Sequence, residues 1–394
     1  MNKKSIKDID FKSKSVLMRV DFNVPLDEEG NITDDNRIRA ALPTIEGLLN
    51  QGAKLILMSH LGRPKGQVKP EFSLKPVVYR LSELLKRPVK MANDCIGDQV
   101  QREVNNLAEG EVLLLENLRF HKEETANDSE FAKKLSGLGE IFVNDAFGTS
   151  HRAHASTEGV THFLESVSGL LVQKEIEYFQ KVITNPQKPF LFILGGAKVS
   201  DKIPVIENMM DKADSIIIGG AMAYTFLKVG GILVGSSRTE DNMIDTAGKI
   251  LEKAKAKGVE IVLPLDHLIT NDIKSASEVK TTESVSIPEG WMGVDIGPKT
   301  IESFSSKIKE AKTIVWNGPV GIFENDKFAL GTREIAKQIA VSSATSVIGG
   351  GDTAAAVLKF GYSDSMSHIS TGGGASLEYL EGKILPGVAA LADK

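Results

Sequence analysis

Short apolar runs alternate along the chain with longer stretches whose apolar residues recur at a helical period. Residues 16–20 form the first run and end at Asp21-Phe22-Asn23. Asp34, Asp35 and Asn36 offer caps for a helix over 37–51, with Ile38, Ala41, Leu42, Ile45, Leu48 and Leu49 on its apolar face. Runs at 55–58, 112–115 and 141–143 predict three more strands, and helices are predicted from a Ser73 cap to about 86 and over 129–138. Residues 158–186 carry no strand signal; a helix over 169–183 is predicted there, closed by Asn185-Pro186. Apolar runs then return at 190–194, 216–218, 314–316, 346–348 and 368–370, nearly all running into glycines.

Near-continuous apolar strands alternating with helices predict an α/β protein. Its two Rossmann-like domains are each a mainly parallel sheet with helices on both faces, joined by a long hinge helix. A chain of 394 residues exceeds what one core usually fills. The expected division is an N-terminal domain over 1–170, an interdomain helix over 171–185 and a C-terminal domain from 186 to 379. That helix reads equally as a packed connector or as a hinge. Residues 216–234 carry one charge, Lys228, over a length that invites a membrane span. Gly219, Gly220, Gly230 and Gly231 divide that stretch, which reads better as a strand, a turn and a short helix.

A net charge of −5 and a pI near 5.9 argue against a nucleic-acid partner. The one cysteine, Cys95, excludes an internal disulfide and a cysteine-based zinc site, and suits a reducing compartment. The basic N-terminus has no apolar core of a signal peptide. A cytoplasmic protein is expected.

Ligands of parallel sheets sit outside the carboxyl ends of the strands. In the first half those ends carry Asp21, Asn23, His60, Arg63, Arg119, Arg152 and His154, with Arg19 and Arg37 nearby. Singly, each is more often a surface charge or a cap. Their recurrence at successive strand ends points to a small anion bearing phosphate and carboxylate groups. In the second half, Gly195-Gly196 precede Lys198 and Lys202, which share one face if they open a helix. No Walker A loop is present, and a solvated lysine pair is the plain alternative. Glycines at several strand ends suggest a nucleotide; Asp352 could hold Mg²⁺, and Glu324 could accept from ribose hydroxyls. Gly349, Gly351 and Ala354 fit a dinucleotide fingerprint, but the next strand ends in Thr371 and glycines, not in an acid.

The segments RVDFNVP, SHLGRP, NDAFGTSHRAHAS, GGAKVSDK, WNGPVGIFE, VIGGGDTAAAV and STGGGASLEYLEG together resemble the phosphoglycerate kinase family over essentially the whole chain. The resemblance implies reversible, Mg²⁺-dependent phosphoryl transfer between 1,3-bisphosphoglycerate and ADP, giving 3-phosphoglycerate and ATP, by a hinge-closing monomer. It implies that residues 380–394 return to the N-terminal domain. By position, Asp21, Phe22, Asn23, Arg37, His60, Leu61, Gly62, Arg63, Arg119 and Arg152 would bind 3-phosphoglycerate. Gly195, Gly196, Lys198, Lys202, Gly219, Gly220, Gly293, Asn317, Glu324, Gly350, Gly351, Asp352 and Thr353 would bind the nucleotide, with Asp352 on Mg²⁺. Arg37, Lys202, Gly351, Gly372 and Gly373 would form the catalytic charge cage. One stretch, Phe120-His121-Lys122-Glu123-Glu124, departs from the family's pattern, where many relatives have a proline and a glycine; it lies outside the matched ligand positions.

Three rival readings stay open on residues alone. A nicotinamide-dependent dehydrogenase would bind its cofactor. A non-catalytic nucleotide sensor would lack residues such as Arg37, Lys202 or Asp352. A nucleic-acid binder would show steep salt dependence.

Overall fold

The computed structural model describes residues 2–394. Contacts divide the chain into two compact units: residues up to Glu177 together with Ile384–Lys394, and Tyr178–Lys383.

The first unit is built on a six-stranded parallel sheet of β1 (Ser15–Arg19), β2 (Lys54–Met58), β3 (Val89–Met91), β4 (Val112–Leu114), β5 (Ile141–Asn144) and β6 (Glu165–Ser168). Its order is β3-β4-β2-β1-β5-β6. The chain moves outward from β1 through β2 on one side and from β5 to β6 on the other, so connections diverge between β1 and β5. That is the position where open α/β sheets leave a ligand crevice. The central strands are almost entirely buried, which is why they read as continuous apolar runs. Strand β6 corrects the expectation that 158–186 holds no strand. Its sequence, ESVS, offers one large apolar residue, and its outer side pairs with the N-terminus through Ile6 N–H to Ser168 O (3.0 Å).

The C-terminal residues lie on this unit. Asn144 Nδ2 donates to Gly387 O (2.7 Å), Gly387 N–H to Ser150 O (2.9 Å) and Ala392 N–H to Ser166 O (2.9 Å).

Helix Leu170–Ile183 begins over a buried acid: Asp145 Oδ1 accepts from the N–H groups of Leu171 (2.9 Å) and Val172 (3.3 Å). Asp145 has no exposed surface, and burial raises its carboxyl to about 7. The folded protein therefore holds this proton to about pH 7, whereas the unfolded chain releases it near pH 4. The stability it contributes is complete in acid and is lost as pH rises through the folded value. Asp145→Asn keeps the shape and cannot titrate. Between about pH 5 and 8 the wild type is expected to lose stability relative to Asp145→Asn, read from urea midpoints; a pH-independent difference would contradict this.

The second unit repeats the architecture with β7 (Phe190–Leu194), β8 (Ser215–Ile218), β9 (Glu260–Val262), β13 (Thr313–Asn317), β14 (Thr345–Gly349) and β15 (His368–Ile369). All pairings are parallel, in the order β15-β14-β13-β7-β8-β9, and connections diverge between β7 and β13. The register Leu194↔Asn317 sets Gly195 beside Gly318, with Gly195 N–H donating to Asn317 O (3.0 Å). A small antiparallel sheet of β10 (His267–Thr270), β11 (Val279–Thr281) and β12 (Met292–Ile296) was not expected. Strand β11 is exposed throughout and β12 contains Gly293 and Asp295, so neither shows an apolar run. No helix among the described residues is long and apolar enough to cross a membrane; residues 216–234 resolve into β8 and helix Met222–Val229.

One local expectation is corrected. Lys198 and Lys202 do not share a helical face, because the helix starts at Ile203 with Lys202 as its N-cap. A helix from 198 would place Pro204 in its interior, where the ring clashes with the carbonyl of Ser200 and an N–H is missing. At the start of the helix Pro204 is tolerated.

Candidate active site

In the first unit the loops after β1, β2 and β4 are tied together at the strand ends. Phe22 N–H donates to Ser59 Oγ (2.9 Å), and Gly62 N–H to Asn23 Oδ1 (2.8 Å). Asn117 Nδ2 donates to Leu61 O (2.8 Å), and Arg119 donates to Gly62 O (2.9 Å). Gly62 has a φ of +62°, and a side chain there would strike the ring of Phe72, so only glycine closes this loop.

The cations cluster beside that frame. Arg37, near the start of helix Asn36–Asn50, pairs with Asp21. Arg19 has no exposed surface and donates to Ser156 Oγ (2.8 Å). It also donates to Val20 O, and its Nη2 lies 3.1 Å from His60 Nδ1. A guanidinium only donates, so Nδ1 must accept and the His60 proton resides on Nε2. Burial, then the charges of Arg19, Arg119, Arg37 and His154, hold His60 well below the usual imidazole range. His60 is thus a neutral imidazole with a fixed tautomer, suited to donating a hydrogen bond. Imidazole ¹⁵N shifts are expected to report neutral His60, protonated at Nε2, from about pH 5.5 to 8; a titration near the ordinary value of about 6.5 would contradict this.

Glu124 supplies the buried counter-charge. It accepts from Ser156 Oγ (2.6 Å) and Ser156 N–H (3.0 Å), and its charge acts on Arg19 and Arg119. Arg119 is lowered to about 10, first by burial and then by Arg19, and remains cationic at neutral pH. Its Nε is buried with no hydrogen-bond partner among the described residues, an orphan donor facing the cost that a bound oxyanion would relieve. His154 falls to about 4 through burial and the charges of Arg19, Arg119 and Arg152. Arg63 and Arg152 are exposed. Thus Asp21, Asn23, Arg37, His60, Gly62 and Arg119 come together, with Arg152 coupled to them by charge. Ser59, Asn117, Ser156 and Glu124 complete the frame and were not anticipated. Glu124 sits in the short helix Lys122–Thr125 among other charged residues, and its burial gives no signal before the tertiary fold is known.

In the second unit a cavity of about 260 Å³ opens at the β7–β13 divergence. It is lined by residues 195–198, Asp201, Lys202, 317–319 and 350–353, and the start of helix Gly351–Lys359 contributes the last of these. Lys202 Nζ donates to Asn317 Oδ1 (2.5 Å). Burial lowers the Lys202 ammonium, opposed by Asp201, Asp352 and Glu381. Thr353 Oγ accepts from Gly318 N–H (2.7 Å), fixing the loop after β13 against the helix.

The glycines separate into two kinds. At Gly196, Gly351 and Gly373, nothing lies within 4 Å of where a side chain would begin. At Gly195, Gly219, Gly220 and Gly293, that space is taken by Pro319, Val320, Gly196 and Tyr224 respectively. The latter glycines serve close packing. Gly219, Gly220, Gly293, Glu324, Gly372 and Gly373 do not line the cavity. Glu324 is exposed, and the Gly372 amide donates to Ser370 Oγ (3.1 Å). Asp201, by contrast, lines the cavity and was not singled out.

An ammonium, a helix N-terminus and open glycines around a space of this size suit a chain of phosphates. Asp352 is exposed at the rim with no ion-pair partner within 4.0 Å among the described residues, and Asp201 adds a second carboxylate. This hard oxygen pair fits Mg²⁺, which takes one or two carboxylates alongside phosphate oxygens.

The profile described as "Phosphoglycerate kinase" matches residues 6–383. The chain is 58% identical over 398 residues to a phosphoglycerate kinase of Thermosipho africanus, covering 100% of this chain and 99% of that one. It is 57% identical over 399 residues to one from Chlorobium phaeobacteroides, with both chains fully covered. The solved structure of phosphoglycerate kinase from Coxiella burnetii superposes with a TM-score of 0.91 at 41% identity, covering 98% of each chain.

Proposed function

The chain belongs to the phosphoglycerate kinase family, and from that premise we propose how its two strand-end sites divide the reaction. The enzyme is a phosphotransferase with a carboxyl group as acceptor: 1,3-bisphosphoglycerate and ADP give 3-phosphoglycerate and ATP, reversibly, in glycolysis. We assign 3-phosphoglycerate to the arginine edge of the first unit and the nucleotide phosphates to the Lys202 cavity of the second. The observation that carries this assignment is the cavity itself, where Lys202, the Gly351–Lys359 helix and open glycines converge on a space sized for phosphates. Pockets that bury whole drug-sized ligands run to about 300–1,000 Å³, so base and ribose extend beyond it, toward the surface that carries Glu324.

Asp352, with Asp201 lining the same cavity, would hold Mg²⁺, which would supply charge neutralisation for the phosphates. The rest is done by the chain. Arg119 Nε and His60 Nε2–H fix the carboxylate or phosphate of 3-phosphoglycerate. Arg37 and Lys202 meet the charge that develops on the transferring oxygens. In the direction of ATP consumption the acceptor is a carboxylate, already ionised near neutral pH, so no general base is required. Both ligands must be brought within transfer distance and water kept from the acyl phosphate, which we assign to hinge closure about helix Leu170–Ile183. We propose a monomer, and the soluble phosphorylated substrates support a cytoplasmic setting.

The test is turnover with 3-phosphoglycerate, ATP and Mg²⁺, trapping the product with a dehydrogenase that consumes NADH. Activity that requires all three components is expected. A folded, nucleotide-binding protein without turnover would favour the sensor reading.

A further inference from the structure

Beside the phosphotransfer machinery, three different metal-binding side chains meet in the first unit. Asp94 and Cys95 lie in the bend that follows β3, and His121 follows the 3₁₀ turn Leu118–Phe120. Each offers a donor atom, and the three atoms lie within 4.8 Å of one another. We propose that Asp94, Cys95 and His121 form a binding site for zinc or a similar borderline divalent cation, independent of the assigned reaction.

The donor set argues for that class of ion. A thiolate, an imidazole and one carboxylate are the ligands zinc selects, and three protein ligands leave a fourth position for water. Bonds of about 2.0–2.3 Å to a tetrahedral ion put ligand atoms roughly 3.5 Å apart. With donor atoms 2.6 Å apart at His121 and Asp94 and all within 4.8 Å, the set adjusts to an ion by shifts of about an ångström, and the irregular bend at 93–97 can supply them. The surroundings favour a cation: Glu123 acts on His121 and Glu124 on Cys95, with Lys134 opposing. Access and retention are both provided. The side chains of Asp94 and His121 are 49% and 25% exposed, whereas Cys95 is 0% exposed, so an ion enters from solvent and meets a dry sulfur.

Binding must displace protons. His121 Nε2 now sits 2.6 Å from Asp94 Oδ1. The ion takes the place of the proton between them, and the Cys95 thiol releases its proton to solvent as the sulfur–metal bond forms. Counting cysteines excludes a centre made chiefly of thiolates, but not one in which a lone cysteine is a minority ligand. His121 also belongs to the stretch that departs from the family pattern, and phosphoryl transfer gives His121 itself no role. A bound ion would tie the bend after β3 to the segment carrying Arg119.

The experiment is a Co²⁺ titration of the full-length protein, stripped with a chelator and kept reduced with a phosphine. The expected result is one equivalent with the visible bands of tetrahedral cobalt and a near-ultraviolet thiolate-to-cobalt band, both erased by Zn²⁺. His121→Gln and Cys95→Ser should each weaken binding by about 100-fold or more, while Asp352→Asn leaves the bands unchanged. No bands, bands without the thiolate component, or bands of unchanged affinity in His121→Gln would overturn the site. His121 is partly exposed, so that variant decides the matter even if Cys95→Ser does not fold.

Discussion

Replacing Arg37 by alanine is expected to lower kcat by about a thousandfold or more while leaving ADP affinity within about twofold. Phosphoryl transfer spreads negative charge over the equatorial oxygens, and a fixed cation there stabilises the transition state more than the bound substrates. Arg37 is a partly exposed cation of the arginine edge, with 38% of its side chain accessible, and Asp21 orients it by direct pairing. Its removal also leaves the Asp21 carboxylate facing an anionic substrate. Asp21→Asn placed on Arg37→Ala should therefore recover part of the substrate affinity but not kcat. The nucleotide cavity is lined wholly by residues of the other unit, so ADP binding should be spared. Steady-state kinetics with calorimetry of ADP would check this. An unchanged kcat, or equal losses of kcat and ADP affinity, would remove Arg37 from the role assigned to it.

Lys202→Ala should cost about 10²–10³ in kcat and also weaken the nucleotide by roughly tenfold. The ammonium is part-buried and held by Asn317 Oδ1 at 2.5 Å, so it is oriented before the ligand arrives. Without it, Lys198 is the one lining cation left to offset Asp201, Asp352 and a polyphosphate. Lys202→Met, which keeps the length of the stem, should lose as much activity with less disturbance of packing. A rise in KM for ATP alone, with kcat preserved, would mean that Lys202 only binds.

The largest parts of the fold were legible because burial on both faces leaves little freedom of composition. Strands β1, β2, β4, β5, β7, β8, β13 and β14 are nearly continuous apolar runs for that reason. The short edge strands β3, β6 and β9, and the whole antiparallel sheet, were not, since their residues are half exposed or polar and their pairing is set by neighbours distant in sequence. The strand-end rule singled out Asp21, His60, Arg119, Lys202 and Asp352, which lie in the arginine edge and the cavity. It could not tell a glycine opened to a ligand, as at Gly351, from one closed on its neighbours, as at Gly220. Nor could it find Glu124, whose importance comes entirely from Ser156, Arg19 and His154 around it. The lysine spacing misled because Pro204, two residues beyond Lys202, decides where the helix can begin.

With fixed cations at both proposed ligand sites and His60 held neutral, one direct transfer between substrate oxygens, with no phosphorylated protein group, is the expected course. The stereochemical course at phosphorus reads this directly. With ATP made chiral at the γ-phosphorus by oxygen isotopes, the acyl phosphate formed from 3-phosphoglycerate should show net inversion. Net retention would contradict it, since that requires two displacements and a side chain of this protein carrying the phosphoryl group between them.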